Sequence, residues 1–488
     1  MDRKGKIMYI CIYIILTISS IQFAQGQIKI VTLRTKLGLV NGRGVSVNND
    51  TVYEFRKIPY AKPPIGNLRF SKPQAYGNWS SPLDATEFGP SCMQHLKSTR
   101  GLPNLNMSED CLHLNIYVPR NWSNPFLMPV MVYIHGGGFQ QGTGMRFNAS
   151  LLSLQGQVIV VTLNYRLNVF GFFTTRTPNT TGNYGLWDQR MAIEWVRENI
   201  NSFGGNPDMI TIFGESAGSI SVGLHALFPG NKGLFNRAIM QSGPGNSLFS
   251  TNNRSADVFT DFSFSVGCTE KPYIVCLRQI DAKSLTQMWY LYKNETATDV
   301  LPHFGGLDSP VIDGEFIPSN PVTLIQNTSS PSYAFFRSLD VIAGTTNGEG
   351  SLILQKLLPR DIQGDFLRLP YSIGRMDYFD KKIAVSNAIC KKYSNVSSSD
   401  KREQARQAVD MFGDAFFVCP TVQLLNIHSK NNTKKTYQYL FTREFPGRKP
   451  PEEWFIGDPH ASELMYLFGF KSFLSDKVDV PESEKEFS

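Results

Sequence analysis

Near the middle of the chain, Gly214-Glu215-Ser216-Ala217-Gly218 reads G-x-S-x-G. A serine so placed can attack a carbonyl carbon, provided that a strand before it and a helix after it hold its hydroxyl up in a tight turn. The pentapeptide alone is cheap in a chain with 40 glycines, so its setting decides. An apolar run at 209–213 precedes it, and an apolar stripe of Ile220, Leu224 and Phe228 follows at helical spacing. Acyl transfer also needs donors where the carbonyl oxygen gains charge. His135-Gly136-Gly137-Gly138-Phe139 follows the strand-like run 129–134, and consecutive glycines let bare backbone N–H groups approach a tetrahedral centre. Gly137, Gly138 and Ala217 are the candidate oxyanion donors.

The serine needs a base, and where nucleophile, acid and base follow in that order the base comes late, beyond a sheet strand. His225 and His428 fall in helical patterns, His303 comes early, and His135 belongs with the glycine loop. His460, in Ile456-Gly457-Asp458-Pro459-His460, is the expected base. For the acid, Glu349 lies in a glycine-rich loop straight after the run 341–343, with Asp313 its chief competitor and Asp414 and Asp458 weaker ones. Residue types alone leave that choice open.

The elements that must position these residues are strand-like runs at 129–134, 158–163, 209–213, 237–240, 333–336, 341–343 and 437–441. Helical patterns lie between them, notably 188–200, where Ala192, Trp195, Val196 and Ile200 recur on one face before Gly204-Gly205. Alternating strands and helices predict an α/β fold: right-handed crossovers, a mostly parallel sheet flanked by helices, and a single large domain.

At this point the chain resembles a type B carboxylesterase of the cholinesterase-like branch of the α/β-hydrolase fold. The resemblance covers residues 35–469 and rests on FRKIPYAKPPIGNLRF, EDCLHLNIYVP, VYIHGGGF, GNYGLWDQRMAIEWVRENINSFGGNPDMITIFGESAGS, RAIMQSG, PVIDGEF, NGEGS and HASELMYLFG, in that order. It implies Ser216 as nucleophile, Glu349 as acid and His460 as base, with Gly137, Gly138 and Ala217 as the oxyanion hole. It also implies a structural role for Asp313 and a hydrogen bond near the triad from Ser242. The family often has glycine after the histidine, where this chain has Ala461. Cholinesterases carry a tryptophan in the loop matching 92–111 that binds a quaternary ammonium. That loop here has no Trp, Tyr or Phe, which speaks against selective choline-ester hydrolysis. The chain also stops about where the family continues into a C-terminal helical segment.

The first 26 residues read as a signal peptide: Arg3, Lys4 and Lys6, then an apolar run over 7–21, then Ala24-Gln25-Gly26. Residues 27–488 are then the catalytic domain, and no later stretch is expected to span a membrane. Sequons at Asn49, Asn78, Asn106, Asn121, Asn148, Asn179, Asn253, Asn294, Asn327, Asn395 and Asn431 suit a secreted glycoprotein. In an oxidising compartment the close pairs Cys92 with Cys111 and Cys268 with Cys276 are the economical disulfides, which the resemblance supports, while Cys390 and Cys419 stay unassigned.

A formal charge of +7 spread over 488 residues argues against a nucleic-acid partner. No Cys/His spacing suggests a metal, and no cofactor is expected. The expected partner is a small-molecule ester, with its acyl pocket near Leu248 and Phe249. Two other classes fit the same sequence: a non-catalytic adhesion domain and a slow-turnover ester scavenger. The presence of serine, glutamate and histidine favours the esterase.

Overall fold

The computed structural model describes residues 29–95, 105–119, 126–177, 180–252, 254–295, 307–353, 388, 391–393, 401–443, 457–470, 473 and 480–487. Its centre is one sheet of eleven strands: β1 (Lys29–Arg34), β2 (Leu39–Val47), β3 (Asp50–Pro59), β4 (Leu83–Asp84), β5 (His113–Val118), β6 (Met128–Ile134), β7 (Ile159–Leu163), β8 (Gly205–Glu215), β9 (Arg237–Gln241), β10 (Asp340–Thr346) and β11 (Thr436–Phe441). The order is β1-β2-β3-β5-β7-β6-β8-β9-β10-β11, with β4 beside β2. From β7 to β11 every pairing is parallel, whereas β1, β2, β3, β5 and β7 pair antiparallel in sequence. The fold is thus the expected α/β architecture, with an antiparallel N-terminal wing.

The central strands are β-branched and covered on both faces, and Val130, Val132, Ile134, Val161, Ile210 and Ile212 are fully buried. Helices Tyr184–Asn199 and Ala217–Leu227 make the crossovers. Apart from strand ends that shift by a few residues, the predicted elements stand, with one correction. Residues 333–336 form part of a helix, Pro331–Phe336, and not a strand. Ser330 caps it by accepting the Tyr333 N–H, and Pro331 occupies the first turn. A Ser-Pro start favours a helix, and it outweighs the aromatic, strand-like composition of the four residues behind it.

A second correction concerns length and hydropathy. Glu403–Ser429 is helical throughout and is long and apolar enough to cross a membrane. Here it lies mostly buried, packed against β10 and β11. At Asp414–Val418 it widens into a π-helical turn. Such turns present successive side chains on one side of a helix and recur at functional sites.

Both expected disulfides form, Cys92–Cys111 and Cys268–Cys276. Cys419 is exposed and unpaired, and Cys390 lies outside the described residues. Removing the first bridge by the double change Cys92→Ser and Cys111→Ser should lower unfolding stability by about 3 kcal/mol, the loop-closure value for a span of this size. Denaturant melts of the two proteins measure it, and an unchanged midpoint would show that the bridge adds nothing.

Candidate active site

β8 ends at Glu215, and Ser216 follows with φ 58° and ψ −123° before the helix Ala217–Leu227 begins. A left-handed serine is strained, and such strain persists only where neighbours enforce it. The Ser216 N–H donates to the Gln241 carbonyl of β9 at 2.8 Å, and the Ser216 carbonyl accepts the Ile220 N–H at 2.9 Å. Both glycines of the pentapeptide are needed for space. A Cβ on Gly214 would lie 2.6 Å from the Ile134 carbonyl oxygen, and one on Gly218 would collide with the same oxygen. The helix therefore starts directly against the end of β6, and nothing larger than glycine fits there.

The glycine loop leaves that same strand end. Gly137 (φ 110°) and Gly138 (φ 64°) take conformations open to glycine, and the Gly138 Cα faces open space. The Gly137 carbonyl accepts the N–H groups of Gln140 and Gln141 at 3.1 and 3.2 Å, which closes the loop on itself. Ala217, the third expected donor, is the first residue of the elbow helix. His135 stacks on Tyr165 at 4.4 Å and approaches the Gly136 carbonyl through Nδ1 at 2.8 Å. Burial pushes its imidazole down to about 4, so it stays neutral and braces the loop.

Glu349 and His460, far apart in the chain, meet because their loops zip together. Asn347 N–H donates to the Phe441 carbonyl at 3.1 Å, Asp458 N–H donates to Asn347 Oδ1 at 2.7 Å, and Gly348 bridges to Pro459. Inside that zip His460 Nδ1 donates to Glu349 Oε2 at 2.6 Å. The other carboxylate oxygen, Oε1, accepts the Ser242 hydroxyl at 2.5 Å and the Thr346 N–H at 2.8 Å. Both oxygens of a carboxylate buried to 2% exposure are thus engaged, and the carboxylate cannot rotate away from the ring.

On its other side, His460 Nε2 lies 3.0 Å from Glu215 Oε1, and it forms no hydrogen bond with the Ser216 hydroxyl. The structure therefore joins Glu349 to His460 directly and leaves Ser216 one residue along from the carboxylate that faces the other ring nitrogen. Burial pulls the imidazole down, but Glu215 and Glu349 together outweigh it and hold His460 well above its ordinary value of 6.5. Ala461 directly after it has φ 70°. This left-handed position costs an alanine about 1 kcal/mol relative to glycine, which gives the physical sense of the glycine expected there.

Asp458 lies buried two residues before His460, while the other competing groups are engaged elsewhere. Asp313 Oδ2 accepts Asn183 Nδ2 at 2.8 Å, and its Oδ1 accepts the N–H groups of Glu315 and Ile317, so it holds its own loop against the helix at 184–199. Asp414 accepts the Tyr393 hydroxyl at 2.5 Å. His225 is held between Gln189 and Asn231, and His428 between Thr436 and the Leu339 carbonyl. His303 lies outside the described residues.

Three features were not anticipated. Glu215, inside the pentapeptide, faces the His460 imidazole. Glu463, three residues after His460, is buried beside it, and its Oε1 accepts Gln241 Nε2 at 3.3 Å. The π-helical turn places Phe417 5.0 Å from the His460 ring and Phe416 4.6 Å from Phe249. Glu463 ends the turn that carries His460 and stands just before the helix Leu464–Phe468. The π-helical turn had no sequence signal.

A serine on a strand-to-helix elbow, above a largely parallel sheet and flanked by a glycine loop, defines an α/β hydrolase. The sequence model of the carboxylesterase family matches residues 29–488. Acetylcholinesterase of Bungarus fasciatus is 35% identical, with 95% of this chain and 76% of that protein covered. Bile salt-activated lipase of Bos taurus is 35% identical, covering 90% and 74%. Carboxylesterase 5A of Mus musculus is 34% identical, covering 93% and 78%. The chain belongs to the carboxylesterase family and is a carboxylic ester hydrolase. Its substrates are small-molecule esters.

Proposed function

We propose that the chain is a secreted serine esterase in which Ser216, His460 and Glu349 form the triad and an acyl-enzyme forms on Ser216. The observation that carries this reading is the 2.6 Å pair between His460 Nδ1 and the fully engaged Glu349 carboxylate, standing beside a strained serine elbow. Glu349 fixes the tautomer that leaves Nε2 free of its proton. A small ring movement takes Nε2 from Glu215 to Ser216, one residue away. His460 then removes the hydroxyl proton as Ser216 attacks the ester carbonyl. The N–H groups of Gly137, Gly138 and Ala217 receive the oxyanion, and His460 returns the proton to the leaving alcohol. Water repeats the sequence on the acyl-enzyme. Ser242 supports Glu349 from behind. Phe249, stacked on Phe416, supplies an apolar wall suited to the acyl group.

Export is supported by the charged-then-apolar N-terminus, which lies outside the described residues. It is supported too by two disulfides and by where the sequons fall. All seven described sequon asparagines, Asn49, Asn78, Asn106, Asn148, Asn294, Asn327 and Asn431, are exposed. Buried asparagines such as Asn115, Asn164, Asn183 and Asn231 carry no sequon. That segregation suits chains that bear glycans. We also propose that residues 1–26 are removed and that 27–488 form the catalytic domain.

The raised imidazole fixes the sign of the pH dependence. Catalysis needs the neutral base, so activity should rise with pH through a value above 6.5. At pH 5 the rate should be about thirtyfold or more below its plateau. A kcat profile on a p-nitrophenyl ester tests this, and a flat profile from pH 5 to 8 would remove His460 as the base.

A further inference from the structure

His460 stands in a segment that leaves the sheet at the end of β11 and continues into the helix Leu464–Phe468. From the histidine onward the chain has little slack. The Ser462 N–H donates to the Pro459 carbonyl at 3.0 Å, the Leu464 N–H to the Ala461 carbonyl at 3.3 Å, and the Tyr466 N–H to the Glu463 carbonyl at 3.1 Å. These successive turns carry any displacement of Tyr466 back to the imidazole. The helix is fixed to the sheet through Phe468, whose ring meets Tyr133 of β6 at 5.0 Å and Phe147 at 4.9 Å. Met465 and Tyr466 belong to a different, smaller cluster with Phe470, against which Phe441, Phe473 and Val480 pack.

A carboxylate from far down the chain closes that smaller cluster. Glu484, in the short helix Glu482–Phe487, is 3% exposed, although 481–483 and 485 around it are exposed. Its Oε1 accepts Arg443 Nη2 at 2.8 Å, and its Oε2 accepts both Arg443 Nε at 3.2 Å and the Tyr466 hydroxyl at 2.7 Å. Arg443 stands two residues past the end of β11, and Tyr466 stands six residues past His460. One carboxylate thus grips the chain on both sides of the histidine.

An isolated surface ion pair contributes little. This one differs in geometry, because the guanidinium is met through two nitrogens and the third donor is the hydroxyl of a buried tyrosine. It differs in topology as well. Joining the two ends of a segment removes conformations that its middle could otherwise visit. We propose that Glu484 is a positioning residue for His460: by joining Arg443 to Tyr466 it closes the histidine-bearing segment into a loop, and holds the imidazole in register with Glu349 and Ser216 from outside the active site.

This inference rests on the triad reading above. The Asn347–Asp458 and Gly348–Pro459 contacts fasten the segment beside the imidazole, and Glu484 fastens it a second time at its ends. The hydrogen bonds from Arg443 hold the Glu484 carboxyl below its ordinary value of 4.5. The clamp is therefore complete at neutral pH and is lost only when acid protonates the carboxylate, well below the range in which His460 titrates.

The test measures kcat, KM and melting temperature of the intact chain on a p-nitrophenyl ester, at the plateau of its pH profile, with Glu484→Gln, Arg443→Gln, Tyr466→Phe and the double variant of the last two. Glu484→Gln should lower kcat by about tenfold, the scale of a small misplacement of a reacting group, with KM little changed. Its melting temperature should stay within a few degrees of wild type. Because a clamp released at either end closes nothing, Arg443→Gln and Tyr466→Phe should each approach that loss, and the double variant should be no worse than Glu484→Gln. Glu482→Gln, which alters an exposed carboxylate on the same short helix, should leave kcat as it is.

A kcat for Glu484→Gln within about twofold of wild type would overturn the proposal. So would a loss carried in KM, independent losses that multiply in the double variant, an equal loss in Glu482→Gln, or activity that falls only in step with the melting temperature. His460→Gln in the same assay separates the two levels. If it is inactive while Glu484→Gln matches wild type, only this inference falls. If it is active, the triad reading itself is wrong.

Discussion

Ser216→Ala is expected to lower kcat by about a millionfold, the scale on which removal of a catalytic serine acts, and to abolish covalent labelling by a fluorophosphonate. The substitution removes only a hydroxyl. Alanine occupies the left-handed position at φ 58° with strain similar to that of serine, and the N–H bond to Gln241 is untouched. The fold should therefore survive with its melting temperature within a few degrees. That makes the activity loss interpretable as chemistry. Labelling at another serine, with turnover intact in the variant, would end the case for an acyl-enzyme on Ser216.

The second large effect is expected from Glu349→Gln. The carboxylate accepts three hydrogen bonds, from His460 Nδ1, the Ser242 hydroxyl and the Thr346 N–H. A glutamine must present its NH2 group to one side or the other. Turned toward His460 it demands the wrong tautomer, and turned toward Ser242 and Thr346 it meets donors. The imidazolium would also lose its closest counter-charge. A fall in kcat of about ten-thousandfold is expected, with KM little changed, because the damage is confined to proton transfer. Steady-state kinetics on the purified variant measure it. A loss below tenfold would mean that another carboxylate holds the ring, and Glu215, already 3.0 Å from Nε2, would be the first to examine.

How legible this was in the sequence varied with the range of the interaction. The elbow could be read directly, since its glycines answer a local demand: two Cα atoms must pass one carbonyl oxygen, that of Ile134. His460 followed from chain order once the helical histidines were set aside. The acid was different. Glu349 and Asp313 both sit in loops rich in turn residues, and what separates them is the pairing of one loop with the strand end at Phe441 and with Asp458. That is a matter of sheet register, which residue types do not encode locally. The resemblance supplied the choice of Glu349, whose Oε2 lies 2.6 Å from His460 Nδ1. Residues 333–336 were misread because four aromatic and small residues look like a strand when their cap, Ser330-Pro331, is left out of the window. The long helix was missed as an apolar span because charged residues at its start, from Lys401 to Arg406, conceal how apolar the rest is.

β6 and β8 are register-locked neighbours, with Ile134 opposite Gly214. The chain leaves one partner to form the glycine loop and the other to form the serine turn, so two parts of the machinery hang from a single rung of the ladder. Histidine and glutamate, by contrast, follow β11 and β10 on the far side of β9 and are joined loop to loop, through Asn347 with Asp458 and the Gly348–Pro459 bridge. On warming, the first assembly can come apart only when the sheet does, whereas the second depends on loop-to-loop contacts as well. Heat should consequently silence the enzyme by losing its proton acceptor while the attacking group and its amide cradle still stand, and brief cooling should restore it.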